Sequence, residues 1–236
     1  LRLRKEGIKK PILVLGYTLP DNFKSAINNK ISLTISSWEN LDNLQKLSAS
    51  GKKLNIHLKI DTGMHRQGFQ LEEVPTVVQA LKRLTSINKE GVYTHFASAK
   101  DPELPKDTEQ QIKKFNSALK ILEKERFKPL KHAAASGGTI LYPQAHYDLV
   151  RVGASLYGFW PSYEAKKKFS NLIHLEPALS WKTIVCEIKT IPKGERVGYD
   201  FTHTLKRQTI IGVCPVGYWH GLPRILSNRG CVLVNG

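Results

Sequence analysis

Leu54-Asn55-Ile56-His57-Leu58-Lys59-Ile60-Asp61-Thr62-Gly63-Met64-His65-Arg66-Gln67-Gly68 is the stretch whose reading decides the fold. Leu54, Ile56, Leu58 and Ile60 alternate with Asn55, His57, Lys59 and Asp61, which is the period of a strand. A strand of an open, doubly wound parallel sheet is covered by helices on both faces and is apolar throughout. This strand is apolar on one face only. Its apolar residues are expected to meet helices, and its polar residues to line the interior of a barrel. Barrels build their sites from loops at the carboxyl ends of their strands. The loop from Asp61 to Gly68 sets an acid, a hydroxyl, glycines and Arg66 at that end.

The surrounding sequence repeats the pattern. Short apolar runs at 11–16, 31–36, 91–97, 131–135 and 147–152 read as further strands. Helices are expected over 21–28, 40–50 (closed by Gly51), 74–84 and 108–124, from apolar residues at helical spacing. Alternating strands and helices imply a parallel sheet. The fold expected is α/β: an incomplete TIM-type (β/α)8 barrel with about six of its eight strands, followed by part of a small β domain. Residues 1–165 form the barrel part and residues 166–236 the β domain. Trp160-Pro161 opens an irregular basic linker, and strands are expected at 180–191, 197–204, 208–216 and 231–234. The chain starts at Leu1 rather than Met and ends on the hairpin dipeptide Asn235-Gly236. Sequence is therefore expected to be missing at both ends.

Composition narrows the class. Lys and Arg number 36 against 20 Asp and Glu, for a net charge of +16. The lysines are scattered and no nucleic-acid module pattern accompanies them, which argues against a nucleic-acid partner. No apolar run approaches a bilayer span and no signal peptide opens the chain, so a cytoplasmic protein without a membrane partner is expected. Cys186, Cys214 and Cys231 match no metal spacing and read as free, mostly buried thiols.

Four strand ends and one later turn carry chemistry. Tyr93-Thr94-His95-Phe96-Ala97 ends the fourth strand; a lone strand histidine is more often a satisfied core residue than a catalytic one. His132-Ala133-Ala134-Ala135-Ser136-Gly137-Gly138 ends the fifth, with small residues that let backbone N–H groups approach an anion. Arg151-Val152-Gly153-Ala154 ends the sixth; Arg151 also reads as one half of a barrel-lining ion pair with Asp148 or a neighbour. Gly217-Tyr218-Trp219-His220-Gly221 lies in the β region, where an aromatic turn is the plain reading.

Taken in order, these segments resemble the alanine racemase family, whose pattern runs D-T-G-M-x-R-x-G, Y-T-H-F-A, H-x-x-N-S, V-R-x-G and G-Y-x-D-G. The resemblance covers essentially the whole chain. It implies pyridoxal 5'-phosphate as cofactor, a small amino acid as substrate, L-alanine and D-alanine interconverted for peptidoglycan synthesis, and a homodimer with a shared active site. It implies Tyr218 as a catalytic base, His95 hydrogen-bonded to it, and Arg151 at the cofactor's pyridine nitrogen. Arg66 would approach the phenol oxygen and the substrate carboxylate, and Lys59 matches a lysine that some members carry carbamylated. Ser136, Gly153 and Ala154 match phosphate-binding positions, and His132 extends the network behind Arg151. The family's K-A-x-A-Y-G-H-G motif, whose lysine carries the cofactor and acts as the other base, is absent, so the chain as given is expected to be inactive. Ala135 replaces the usual Asn and His220 the usual Asp. Alternatives are a serine or broad-specificity racemase, and a non-catalytic basic binding protein on the same scaffold.

Overall fold

The computed structural model describes residues 1–47 and 52–232. The chain divides into two compact units, Leu1–Ala178 and Leu179–Gly236. In the first, six strands form one sheet in sequence order: β1 (Ile12–Val14), β2 (Ile31–Ile35), β3 (Leu54–Lys59), β4 (Ile87–Tyr93), β5 (Leu130–Ala135) and β6 (Leu149–Arg151). Every neighbouring pair is parallel. The sheet curls into an incomplete barrel. Its helices are α1 (Arg2–Lys5), α2 (Phe23–Asn28), α3 (Trp38–Gln45), α4 (Val74–Arg83), α5 (Pro105–Lys124), α6 (Ser136–Leu141) and α7 (Tyr163–Phe169).

The alternation in β3 sorts as its sequence implies. Leu54, Ile56, Leu58 and Ile60 join the apolar core with Val74, Val77, Val78 and Leu81 of α4. That spacing lays one apolar stripe along the helix, and burying each such side chain contributes roughly 1.5–3 kcal/mol. His57 and Lys59 point to the opposite side and are buried among polar and aromatic groups. Because all six strands run the same way, their carboxyl ends share one edge, and Lys59, Tyr93, Ala135 and Arg151 end four of them.

Several elements differ from the sequence expectation. Strand β4 starts at Ile87, four residues before the expected 91, because the polar run Asn88-Lys89-Glu90 masks it; it ends at Tyr93, leaving His95 in the loop. The stretch expected as an irregular linker holds α7, whose N-cap Ser162 accepts a hydrogen bond from Ala165 N and whose Ala165 is buried. The expected 165/166 division falls inside that helix.

In the second unit β7 (Glu187–Ile191) pairs antiparallel with β10 (Thr209–Val213). The expected single strand at 197–204 is instead a hairpin: β8 (Arg196–Val197) and β9 (His203–Thr204) flank a 3-10 turn at Tyr199–Phe201. Asp200 and Phe201 adopt positive φ there, which breaks an extended run. The strand expected at 180–191 is reduced to β7. Residues 231–232 are not in a strand; the rest of that expected strand, the Asn235-Gly236 hairpin and the end of the helix expected to reach Ser50 and Gly51 lie outside the described residues. All three cysteines are free, as expected, but exposed rather than buried. No helix among the described residues is long and apolar enough to cross a membrane.

Candidate active site at the carboxyl edge of the sheet

Arg151 is the hub. One terminal nitrogen, Nη1, donates to His132 Nδ1 at 2.6 Å. The other, Nη2, donates to Thr94 O and Ala133 O, each at 2.8 Å, and lies 3.3 Å from His95 Nδ1. Asp148 is not its partner: that carboxylate caps the backbone N–H of Lys131. The guanidinium carbon sits 5.1 Å from the Tyr93 ring centroid, and the same ring stacks on His132 at 4.7 Å and 5°. Among the described residues Arg151 Nε has no protein acceptor and no carboxylate touches the guanidinium. Burial alone pulls its pKa down, to about 10, so it stays protonated at neutral pH.

Burial and that cation together hold both histidines below their ordinary range. Burial, and then Arg151, push His132 down to about 3. Burial, followed by Arg151, Arg66 and Lys59, pushes His95 down to about 4. Both rings are neutral near pH 7. The Tyr93 hydroxyl, anchored by Thr34 Oγ1 at 2.9 Å, is pushed up by burial and stays protonated.

The loop after β3 is held by its own acid. Asp61 Oδ1 accepts from the N–H groups of Gly63, Met64 and His65 at 2.9, 3.1 and 3.1 Å. Gly68 closes the loop with φ +122°; a Cβ there would lie 2.6 Å from Asp61 N, so glycine is required. Arg66 is exposed on this loop and makes no hydrogen bond among the described residues. Lys59 Nζ bonds Gln67 Oε1 at 3.3 Å, and burial, then Arg66 and Arg151, lower its pKa. Thr62 Oγ1 meets Thr94 Oγ1 at 2.7 Å, tying the loop to the end of β4.

Ser136, Gly153 and Ala154 come together at the ends of β5 and β6. Ser136 Oγ accepts from Gly153 N at 3.0 Å and from Ser155 N at 3.3 Å. A hydroxyl that accepts two bonds has its own proton left to donate. A Cβ at Gly153 would meet nothing within 4 Å, so that side of the backbone is open. Tyr218 belongs to the second unit, in a 3-10 turn closed by Gly221 in the left-handed conformation, and its hydroxyl lies 3.1 Å from Ser227 Oγ.

The structure thus brings His95, His132 and Arg151 into direct contact, and Ser136 with Gly153. It leaves Arg66 without a hydrogen bond among the described residues. Sequence reading missed Tyr93 as the platform under Arg151, and it missed Glu90 and Gln111. Glu90 contacts His57 Nε2 at 3.1 Å. Gln111, buried on α5, donates to Thr62 Oγ1 and accepts from Ala97 N at 2.8 Å. For Gln111 the signal available was a polar residue one turn from Thr108 and next to Ile112, on the side of the helix that also carries Phe115, Ala118 and Leu122.

Comparison with known proteins follows the same layout. The sequence family "Alanine racemase, N-terminal domain" matches residues 1–161 and "Alanine racemase, C-terminal domain" matches residues 178–236. The alanine racemase of Carboxydothermus hydrogenoformans is 41% identical over 100% of this chain and 63% of its own length. Alanine racemase 2 of Oceanobacillus iheyensis is 38% identical over 100% of this chain and 59% of its own. Among solved structures, alanine racemase from E. faecalis superposes with a TM-score of 0.84 at 30% identity, over 95% of this chain and 60% of that one. That of D-cycloserine-producing Streptomyces lavendulae gives 0.83 at 32% identity, over 100% and 62%. The chain spans about three-fifths of the length of the relatives it matches.

Proposed function

Because the chain belongs to the alanine racemase family, we propose that its site serves a pyridoxal 5'-phosphate-dependent racemase that interconverts L-alanine and D-alanine. The observation that carries this reading is the environment of Arg151: a half-buried cation with neutral acceptors on both terminal nitrogens and, among the described residues, Nε left over.

The residues present fit the cofactor. Arg151 Nε–H suits a ring nitrogen, and the Ser136 hydroxyl with the backbone at Gly153 and Ala154 suits a phosphate. When bound, pyridoxal phosphate spreads the negative charge that develops at the substrate α-carbon. Arginine keeps its proton, so a ring nitrogen receiving its N–H stays unprotonated. The ring is then a weaker electron sink, which disfavours chemistry other than proton exchange. His95 accepts from Arg151 at Nδ1, so its proton sits on Nε2, which has no partner among the described residues. That donor suits a phenol oxygen, and Tyr218 is the tyrosine we assign to it. The His95 N–H, with Arg151 behind it, would hold that oxygen in place for proton transfer. Tyr218 then removes or returns the α-proton on one face. Arg66, exposed and without a hydrogen bond among the described residues, meets the substrate carboxylate, and Lys59 supports the Arg66 loop through Gln67.

The relatives' names support alanine as the substrate. On this reading the enzyme is a cytoplasmic homodimer in which Tyr218 reaches the partner's site, and its D-alanine feeds peptidoglycan. The lysine base of the opposite face has no matching motif in residues 1–236.

The test is a chimera in which residues 1–236 replace the matching part of the Carboxydothermus racemase. Deuterium wash-in at the α-carbon is measured separately for L- and D-alanine. The expected result is exchange of both enantiomers. In Tyr218→Phe, one enantiomer should still exchange while racemisation falls roughly 10²–10⁴-fold, the scale for losing a positioned acid–base group. Equal exchange of both enantiomers by the Phe variant overturns Tyr218 as a base.

A further inference from the structure

Arg151 is half-buried with no carboxylate in contact among the described residues, yet a hydrogen-bonded chain runs from it through the sheet interior to one. His132 Nε2 lies 2.8 Å from His57 Nδ1, and His57 Nε2 lies 3.1 Å from Glu90 Oε2. Glu90 also accepts from Ser32 Oγ, and from Asn55 Nδ2 at 3.3 Å.

The direction of this chain follows from what each group can do. A guanidinium only donates, and an ionised carboxylate only accepts. Arg151 Nη1 therefore makes His132 Nδ1 an acceptor. The neutral His132 ring then carries its proton on Nε2 and donates to His57 Nδ1. His57 in turn carries its proton on Nε2 and donates to Glu90. Each ring has one tautomer that satisfies both neighbours. The opposite tautomer at either ring sets two donors or two acceptors against each other inside the protein, leaving groups there unsatisfied.

The packing is built for this line. A Cβ on Gly91 would lie 2.2 Å from His57 Nδ1, so the absence of a side chain at 91 makes the space His57 occupies. Tyr93 fixes the plane of His132 by stacking. The two rings cross at 64°, an edge-on approach suited to a bond between ring nitrogens.

We propose that Glu90 is a positioning residue: its carboxylate, acting through His57 and His132, anchors Arg151 and fixes the direction of the hydrogen bonds that hold it. The importance of Arg151 to catalysis rests on the racemase reading; the anchoring does not.

The experiment reads the anchoring in the chimera described above, by spectroscopy rather than by activity. In protein labelled with ¹⁵N-histidine and ¹⁵N-arginine, long-range ¹H–¹⁵N correlations report the histidine tautomers, and hydrogen exchange reports the Arg151 Nη protons. Wild type should show Nε2–H at both His57 and His132, with slowly exchanging Arg151 protons. Glu90→Leu should lose the single His57 tautomer and speed Arg151 exchange about tenfold, the scale of one lost hydrogen bond. Glu90→Gln keeps an acceptor oxygen and should retain both tautomers. If Glu90→Leu does not fold, His57→Phe breaks the chain one link nearer Arg151 and is read on the His132 tautomer and on Arg151 exchange, which should speed in the same way. An Nδ1–H tautomer at either ring in wild type, or unchanged Arg151 exchange in the folded variant, overturns the proposal. Failure of the racemase reading would leave these spectra untouched, so the two failures are distinguishable.

Discussion

At the scale of single residues, the site is organised around a cation whose histidine neighbours are kept neutral by burial first and by that charge second. His95 is held at about 4 and His132 at about 3, both below the ordinary value near 6.5. The unfolded chain therefore binds protons that the folded one refuses as pH drops below 6.5, and folding stability falls over that window toward pH 4 to 3. Above pH 6.5 both states hold the rings neutral and the effect vanishes. Denaturant midpoints at pH 7.5 and 5.5, a range above most carboxylate titration, should show the lower stability at 5.5. His132→Gln should narrow the gap, and an unchanged gap would show that His132 titrates normally. Of these residues, His95, His132 and Arg151 were legible because each lies in a recognisable strand-end motif. Glu90 was not, because a lone acid in a polar run carries no local mark.

Among the elements, the loop after β3 shows how a backbone position is enforced. Ile60 and Phe69 form a parallel bridge, and Asp61 N donates to Phe69 O at 2.8 Å, so the chain must cross itself at Gly68. Gly68→Ala would combine positive φ with a Cβ 2.6 Å from Asp61 N. Gly7 has φ +84° with open space around it, so Gly7→Ala isolates the conformational cost alone, about 1–2 kcal/mol. Chemical denaturation should place Gly68→Ala well below Gly7→Ala in stability, and equal losses would mean that the loop yields. The alternation of β3 could be read from sequence because one face packs against α4 while the other lines the interior. Strand β4 and helix α7 were harder, since a polar start hid the first, and Pro161 and three successive lysines disguised the second.

Across the whole molecule, burial is uneven. The core cluster lies entirely in the first unit, whereas Leu205 is the one apolar side chain recorded as buried among the described residues of the second. Local opening is easiest where few apolar contacts hold a segment. Hydrogen exchange followed by mass spectrometry should find the amides of β2 and β3 protected and those of β7 to β10 exchanging far sooner; comparable protection in both units would contradict this. The sequence by itself determined the alternating strands and helices, the parallel sense of the sheet and hence the edge where its motifs gather, because periodicity is local and parallel strands end on one side. Only the tertiary structure decided that His57 meets His132 and that Glu90 closes the line behind Arg151. Those partners are 75, 33 and 19 residues apart along the links His57–His132, His57–Glu90 and His132–Arg151. Their meeting depends on strand register and on the room left by Gly91, which no local pattern specifies.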